Sequence, residues 1–236
     1  MPRSTDQKPV RVMSGLALDL AVNRWIKPRF EAETGLAVEF DWRPTAALMR
    51  DIAAGARSDM IVAISDSMDK LAADGIVRPE TRRRLADSVL GVGVKAGAPK
   101  PDVSSVEAFK RAVVDARAVA YSKAGASGIY FAGLIERLGI AEAVNARAVI
   151  IPQGFTGEKV MSGEADIAIQ QISELMSVAG IDVAGPFPAD VQVASTFEAA
   201  LFREAANEAG AQAFLAALQS REAGEAYARG GLTSRL

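Results

Sequence analysis

The sequence predicts an α/β fold in two lobes, each a sheet covered by helices. Three observations carry the prediction. Strand-like apolar runs alternate with amphipathic segments of helical period, most helical segments stop at a glycine, and the alternation breaks twice at turn-rich or extended stretches.

The first stretch reads β-α-β-α-β-α. Val10 to Met13 is a short buried strand, and Leu16 to Thr34 a helix with Leu16, Leu20, Ile26 and Phe30 on its core face and Gly35 as its stop. Pro28 has no amide to donate, so a kink is expected there. Ala37 to Trp42 is a strand, Thr45 to Ala54 a helix ended by Gly55, Asp59 to Ser65 a nearly continuous apolar strand, and Asp66 to Asp74 a helix closed by Gly75. Uninterrupted apolar strands between helices argue for a parallel sheet buried on both faces. Ser88 to Lys95 is a further strand, running into the turn-rich Ala96 to Pro101.

A second α/β unit follows. Ser104-Ser105-Val106-Glu107 opens a helix to about Ala116 in the manner of a capping box. Strands are expected over Ala118 to Ser122, Ala146 to Ile151 and Ile167 to Gln171, with helices over Ser127 to Leu138 and Thr156 to Ser162. Val183 to Pro188 reads as a return crossing and Asp190 to Phe202 as extended chain. Asn207 and Ser220 cap two closing helices, to Leu218 and Arg229. The expected division is 1-91 with 187-236 as lobe 1 and 92-186 as lobe 2, with hinge crossings near 88-96 and 182-192.

Composition bounds the chemistry. The chain has 236 residues, 50% hydrophobic and 24% charged, with a formal net charge of −2. It contains no Cys and no His, which excludes disulfides, Cys/His zinc sites, His-based triads and Cys nucleophiles. No metal and no cofactor is expected. The absence of a basic stripe argues against a nucleic-acid partner, and no apolar run is long enough to insert in a membrane. Met1 to Pro9 is polar, without the apolar centre of a signal peptide.

Four short loops share one pattern: strand, small or hydroxyl residues, helix. They are Met13-Ser14-Gly15, Pro44-Thr45, Ser127-Gly128-Ile129-Tyr130 and Gly154-Phe155-Thr156. A helix start carries unpaired amides and a partial positive charge, so several starts facing one cleft make an anion site.

The chain resembles the type II periplasmic solute-binding proteins, in particular the molybdate-binding protein family. The resemblance covers nearly the whole chain and is carried by FEAETG (Phe30 to Gly35), LMRDIAAGARSDMIVAIS (Leu48 to Ser65), ASGIYFAGLIERLGI (Ala126 to Ile140), VMSGEADIAIQQISE (Val160 to Glu174) and the closing helix pair. It implies a two-lobed fold that closes on a small anion and delivers it to an ABC permease, a periplasmic location and a monomer. By position it places ligand contacts at Ser14, Gly15, Thr45, Ser127, Gly128, Gln153, Gly154 and Phe155, and puts Gln171 where the molybdate binders have a Tyr. Two departures stand out, Ser14-Gly15-Leu16 where the molybdate binders have Ala-Ser-Leu, and Gln171 for Tyr; with Arg43, which stands directly before the second loop, Gln153 and Gln171 lean toward an organic carboxylate or another polar small molecule over a metal oxyanion. A guanidinium grips a carboxylate as a fork, and an amide both donates and accepts.

Each residue also has a structural reading. Ser14 and Thr45 could simply cap helices, Gly128 could serve close packing, and Arg43 could form an ion pair. Gln170 and Gln171 must face opposite ways on a strand, and Gln171 is expected to be the ligand-facing one. Tyr121 and Tyr130 are expected in the core or cleft wall, and Arg82-Arg83-Arg84 on a solvated helix face. The expected function is non-catalytic solute binding. The alternatives are a strict molybdate or tungstate binder, a cytoplasmic ligand-sensing domain, and a small hydrolase or isomerase working with carboxylates such as Asp19, Asp166 or Glu174.

Overall fold

A computed structural model of the chain describes residues 8–236, so most of the polar segment 1–9 lies outside the described residues. The chain divides into two compact units, Met1–Asp87 with Ser195–Leu236, and Ser88–Ala194. The division points fall at 87/88 and 194/195, against 91/92 and 186/187 expected from the sequence.

In the first unit, β1 (Val10–Ser14) lies between β2 (Val38–Trp42) and β3 (Met60–Ile64), parallel to both, and β3 pairs antiparallel with β9 (Ala194–Leu201). The chain leaves β1 first to one side and then to the other, so helices cover both faces. One face packs Phe30 of helix α2 (Lys27–Thr34) with Phe214 of α10 (Glu208–Leu218) and Tyr227 of α11 (Arg221–Arg229) against Val10, Val12 and Val62. The other packs Leu48 and Ile52 of α3 (Thr45–Ala53) and Met68 and Leu71 of α4 (Ser65–Ala73) against Met13 and Ile61.

The long first helix is not uniform. A 3₁₀ turn (Leu16–Leu18), a short α1 (Asp19–Ala21) and a π turn (Val22–Ile26) precede α2. The π turn stands directly before Lys27-Pro28, where the proline interrupts the ordinary i→i−4 ladder. Gly35 ends α2 in the left-handed conformation, at φ 74°.

In the second unit, β4 (Arg83–Lys95) contributes its later residues between β7 (Ile167–Gln171) and β8 (Ile181–Pro186), antiparallel to both, and β5 (Val119–Ser122) runs parallel to β7 and to β6 (Val149–Ile151). The face of Ile167 and Ile169 packs on Phe109 of α5 (Val106–Asp115) and on Phe131, Leu134 and Ile135 of α6 (Ala126–Arg137). The opposite face carries Ala168, packed with Val160 of α8 (Gly157–Met161) and Leu175 of α9 (Ile172–Met176).

Three expectations need correction. Val183 to Pro188 is largely strand β8, hydrogen-bonded inside the second unit, and not a bare crossing. Strand β4 begins at Arg83, five residues before Ser88. The Arg82-Arg83-Arg84 run is therefore not a helix face: Arg82 pairs with Asp69 and with Glu198 of β9, a carboxylate 2% exposed. Ion pairing makes that burial tolerable where the run alone reads as solvated.

Asp59 ties the returning C-terminal segment to the first strand. Its carboxylate accepts from the backbone amides of Arg11 (2.8 Å) and Asn207 (2.7 Å), and Asn207 in turn caps α10 by accepting from Gly210 at 3.0 Å. Asp59→Ala is expected to lower unfolding free energy by about 3 kcal/mol in urea titrations, because two charge-assisted bonds to backbone amides vanish from a carboxylate that is itself buried. Asp59→Asn, keeping one acceptor oxygen, is expected to lose about half as much.

Candidate functional site

In the first unit the candidate residues gather at the carboxyl ends of β1 and β2. A sheet wound to both sides of a strand leaves room at that end, because the two connections diverge there. Ser14 closes β1, fully buried, with its hydroxyl donating to the Gly15 carbonyl at 3.0 Å. The Gly15 amide donates to Val62 O at 3.0 Å, and Ser14 O accepts from the Arg43 amide at 3.0 Å. These groups are occupied by the sheet, so the bare amide expected at Gly15 is not free.

Thr45 differs. A Cβ built on Gly15 would stand 3.2 Å from Thr45 Oγ1 and 3.0 Å from the Phe197 ring, so the two loops touch. Thr45 Oγ1 makes no hydrogen bond to any described residue. The amides of Ala47 and Leu48 both turn back to Pro44 O (2.8 and 3.2 Å), which leaves the amides of Thr45 and Ala46 as the first-turn donors of α3.

Arg43 does not offer its fork. Its Nε donates to Asp41 Oδ1 at 2.8 Å, and its two terminal nitrogens bond Asp41 and Asp51. Bonding to Asp41 and then to Asp51 raises the guanidinium's pKa further. Arg43 is a clamp between β2 and α3, which corrects its assignment to a ligand carboxylate. Ser65, which the sequence reading passed over, repeats the strand–hydroxyl–helix pattern after β3. Its hydroxyl is engaged by Glu198 at 2.7 Å.

In the second unit, α6 starts hard against the end of β5. Ser122 Oγ accepts from the Gly125 amide at 3.2 Å. A Cβ on Gly128 would fall 1.8 Å from the Ser122 carbonyl oxygen, so only glycine allows α6 to start there. Ser127 beside it is 5% exposed, and its hydroxyl has no hydrogen-bond partner among the described residues. Tyr121 and Tyr130 are occupied, donating to Asn145 Oδ1 and Val191 O, each at 2.8 Å.

The loop after β6 behaves otherwise than its residues suggest. Gln153 is exposed, Phe155 is half-buried, and Gly154 takes φ 99°. Its one buried hydroxyl, Thr156, donates to Gln170 Oε1 at 2.9 Å, and the Thr156 amide reaches the same oxygen at 2.8 Å. Gln170 Nε2 donates to Gly154 O at 3.0 Å. Gln170 is thereby the fastener that fixes the loop to β7. Gln171, on the opposite face of the strand, is 6% exposed, and its Oε1 is a buried oxygen with no partner.

Glu174 lies three residues on, in α9, 7% exposed. Burial raises its pKa to about 7 against the opposing pull of bonds from the Gln171 backbone amide and the Gln170 side chain. The other two carboxylates considered are less enclosed. Asp166 pairs with Arg117 at 2.8 Å, and Asp19 accepts from Asn23 at 2.8 Å. Among the described residues no group of three or more His, Cys, Asp or Glu could hold a metal ion, and no helix is long and apolar enough to cross a membrane.

Sequence comparison matches residues 10–233 to a family described as bacterial extracellular solute-binding protein. An aconitate isomerase from Pseudomonas sp is 33% identical over 215 residues, covering 89% of this chain and 82% of that protein. Among solved structures, the Azotobacter vinelandii periplasmic molybdate-binding protein superposes with a TM-score of 0.78 at 20% identity, over 95% of this chain and 98% of that one. The sulfate-binding protein SubI from Mycobacterium tuberculosis gives 0.74 at 16% identity, over 97% and 88%. At these identities the two structures establish the shared fold alone.

Gly128→Ala should lose about 2–3 kcal/mol of stability by overpacking, read as a lowered thermal midpoint. Gly133→Ala, in the middle of the same helix with only an ordinary contact at 3.6 Å, should instead gain up to about 1 kcal/mol. Glu174 has a folded pKa raised above its unfolded value, so it lowers stability as pH rises from 4.5 to about 7, and the loss is constant above that. Glu174→Gln should therefore match the parent near pH 4.5 and exceed it at pH 8 by on the order of 3 kcal/mol, measured as denaturation midpoints across pH.

Proposed function

The chain belongs to the bacterial extracellular solute-binding protein family, and we propose that it captures a small organic anion for an ABC-type importer. The proposal covers a non-catalytic, monomeric protein working outside the cytoplasmic membrane, with a permease as its partner. Hydroxyl and amide groups would complete the ligand's coordination, and binding would shift the protein toward its ligand-bound state.

The observation that carries this reading is the Gln171 side chain, whose buried Oε1 has no partner; the hydroxyls of Ser127 and of the partly buried Thr45 also bond no described residue. Buried polar groups are nearly always satisfied, so those that are not mark places where a ligand supplies the missing bond. Bonds to a charged ligand contribute about 1.5–3 kcal/mol each. A handful supports roughly micromolar affinity, about −8 kcal/mol, after ordering costs. The organic anion is favoured over an inorganic oxyanion by the aconitate isomerase relative, named for a tricarboxylate, at 33% identity. Ser14, Gly15, Gln153, Gly154 and Phe155 would then shape the loops, with Gly128 setting the start of α6.

A second reading is favoured by the same relative: isomerisation of an unsaturated polycarboxylate. Glu174, enclosed and with both protonation states populated near neutrality, would be its proton carrier. Incubation with trans-aconitate, followed by chromatography, distinguishes the two. Appearance of the cis isomer, abolished by Glu174→Gln, would replace the binding reading with this one.

The binding reading is tested by thermal shift against di- and tricarboxylates, molybdate, tungstate and sulfate. A rise of several degrees with a carboxylate is expected. A rise with the inorganic oxyanions alone, or with none of the panel, contradicts it.

A further inference from the structure

Gln171 is more specific than an unsatisfied group. Its neighbour Gln170 has its oxygen bonded twice by Thr156 and its nitrogen bonded to Gly154 O. Gln171 has no side-chain hydrogen bond to any described residue at either end of the amide, although it is 6% exposed. Strand alternation puts it on the face of Ile167 and Ile169, the face against which α6 packs, and α6 begins with the unpartnered Ser127.

A carboxamide has a donor and an acceptor side by side, and rotating it by half a turn only exchanges their places. The end of Gln171 that is buried without a partner is Oε1, and that end must be offered a hydrogen by the ligand. A fully deprotonated oxyanion or simple carboxylate has no hydrogen to offer and would leave the acceptor buried and unpaired. A hydroxyl next to a carboxylate supplies both halves of the match, the carboxylate accepting from Nε2 and the hydroxyl donating to Oε1.

We propose that Gln171 selects a hydroxylated carboxylate, with the ligand's hydroxyl bonded to its amide oxygen and an adjacent carboxylate bonded to its amide nitrogen. This rests on the organic-anion reading above and narrows it. Ser127, whose hydroxyl can donate, adds a bond to the same carboxylate without distinguishing hydroxylated from deoxy ligands. Sites built to bond a substrate hydroxyl reject the analogue that lacks it far more strongly than apolar pockets reject an extra group.

The test is isothermal titration of the full chain with matched pairs that differ by the hydroxyl: citrate and tricarballylate, malate and succinate, lactate and propionate. At least one hydroxylated member is expected to bind ten or more times tighter than its deoxy partner. In Gln171→Met, which keeps the length and loses both bonding groups, that ratio is expected to fall to about one to two. Ser127→Ala is expected to weaken both members of the pair alike and preserve the ratio. Equal binding within every pair, or a ratio that survives in Gln171→Met, overturns the hydroxyl assignment and leaves the organic-anion reading standing. Binding by no carboxylate overturns both. Should Gln171→Met fail to fold by circular dichroism, the ratio in the parent protein decides.

Discussion

Two glutamines stand in succession at the end of one buried strand, and alternation forbids them the same task. Gln170 points to the face of Ala168 and fastens the Gly154 loop and Thr156 to β7. Gln171 points to the opposite face and is fastened to nothing described. A buried amide without partners is costly, so the arrangement persists only because the rest of the unit enforces it. The enforcement is visible around it: β7 lies between β4 and β5, and α6 is pressed onto Ser122 through Gly128.

The first unit is organised by a different kind of constraint. Its charged residues are largely paired with one another. Arg43 is held by Asp41 and Asp51, and Arg82 by Glu198 and Asp69. Asp87 is held by Arg235 and by Thr196. Ionic groups occupied in this way stiffen the strand ends and contribute geometry more than net stability. What remains unengaged is the neutral part of the α3 start, Thr45 and two backbone amides, close to Gly15 and the Phe197 ring. Neutral donors suit an anion whose charge is satisfied by directed hydrogen bonds and not by a matching cation.

Much of the fold was legible because its signals are local. Apolar strands such as Asp59 to Ser65, the stops at Gly35, Gly55 and Gly75, and the caps at Ser105, Asn207 and Ser220 each act within a few residues of themselves. The short helices α7 (Ala141–Asn145) and α9 were not legible; α9 begins directly after β7, with no turn residue to mark it off from the strand. Nor was the role of Arg43 or Arg82. Whether a guanidinium is free depends on carboxylates that only folding brings near, as with Glu198, which is 116 residues beyond Arg82. The opposite duties of Gln170 and Gln171 could be expected from alternation, whereas the bonds that settle Gln170 in place come from a loop its own strand does not contain.

In the proposed reading the unpartnered hydroxyl and amide groups hold a small organic acid. Native mass spectrometry of the freshly purified protein addresses it most directly, by weighing whatever the protein has carried through purification. An adduct with the mass of a carboxylic acid, lost on gentle activation, is expected. An adduct with the mass of molybdate, tungstate or sulfate would contradict it.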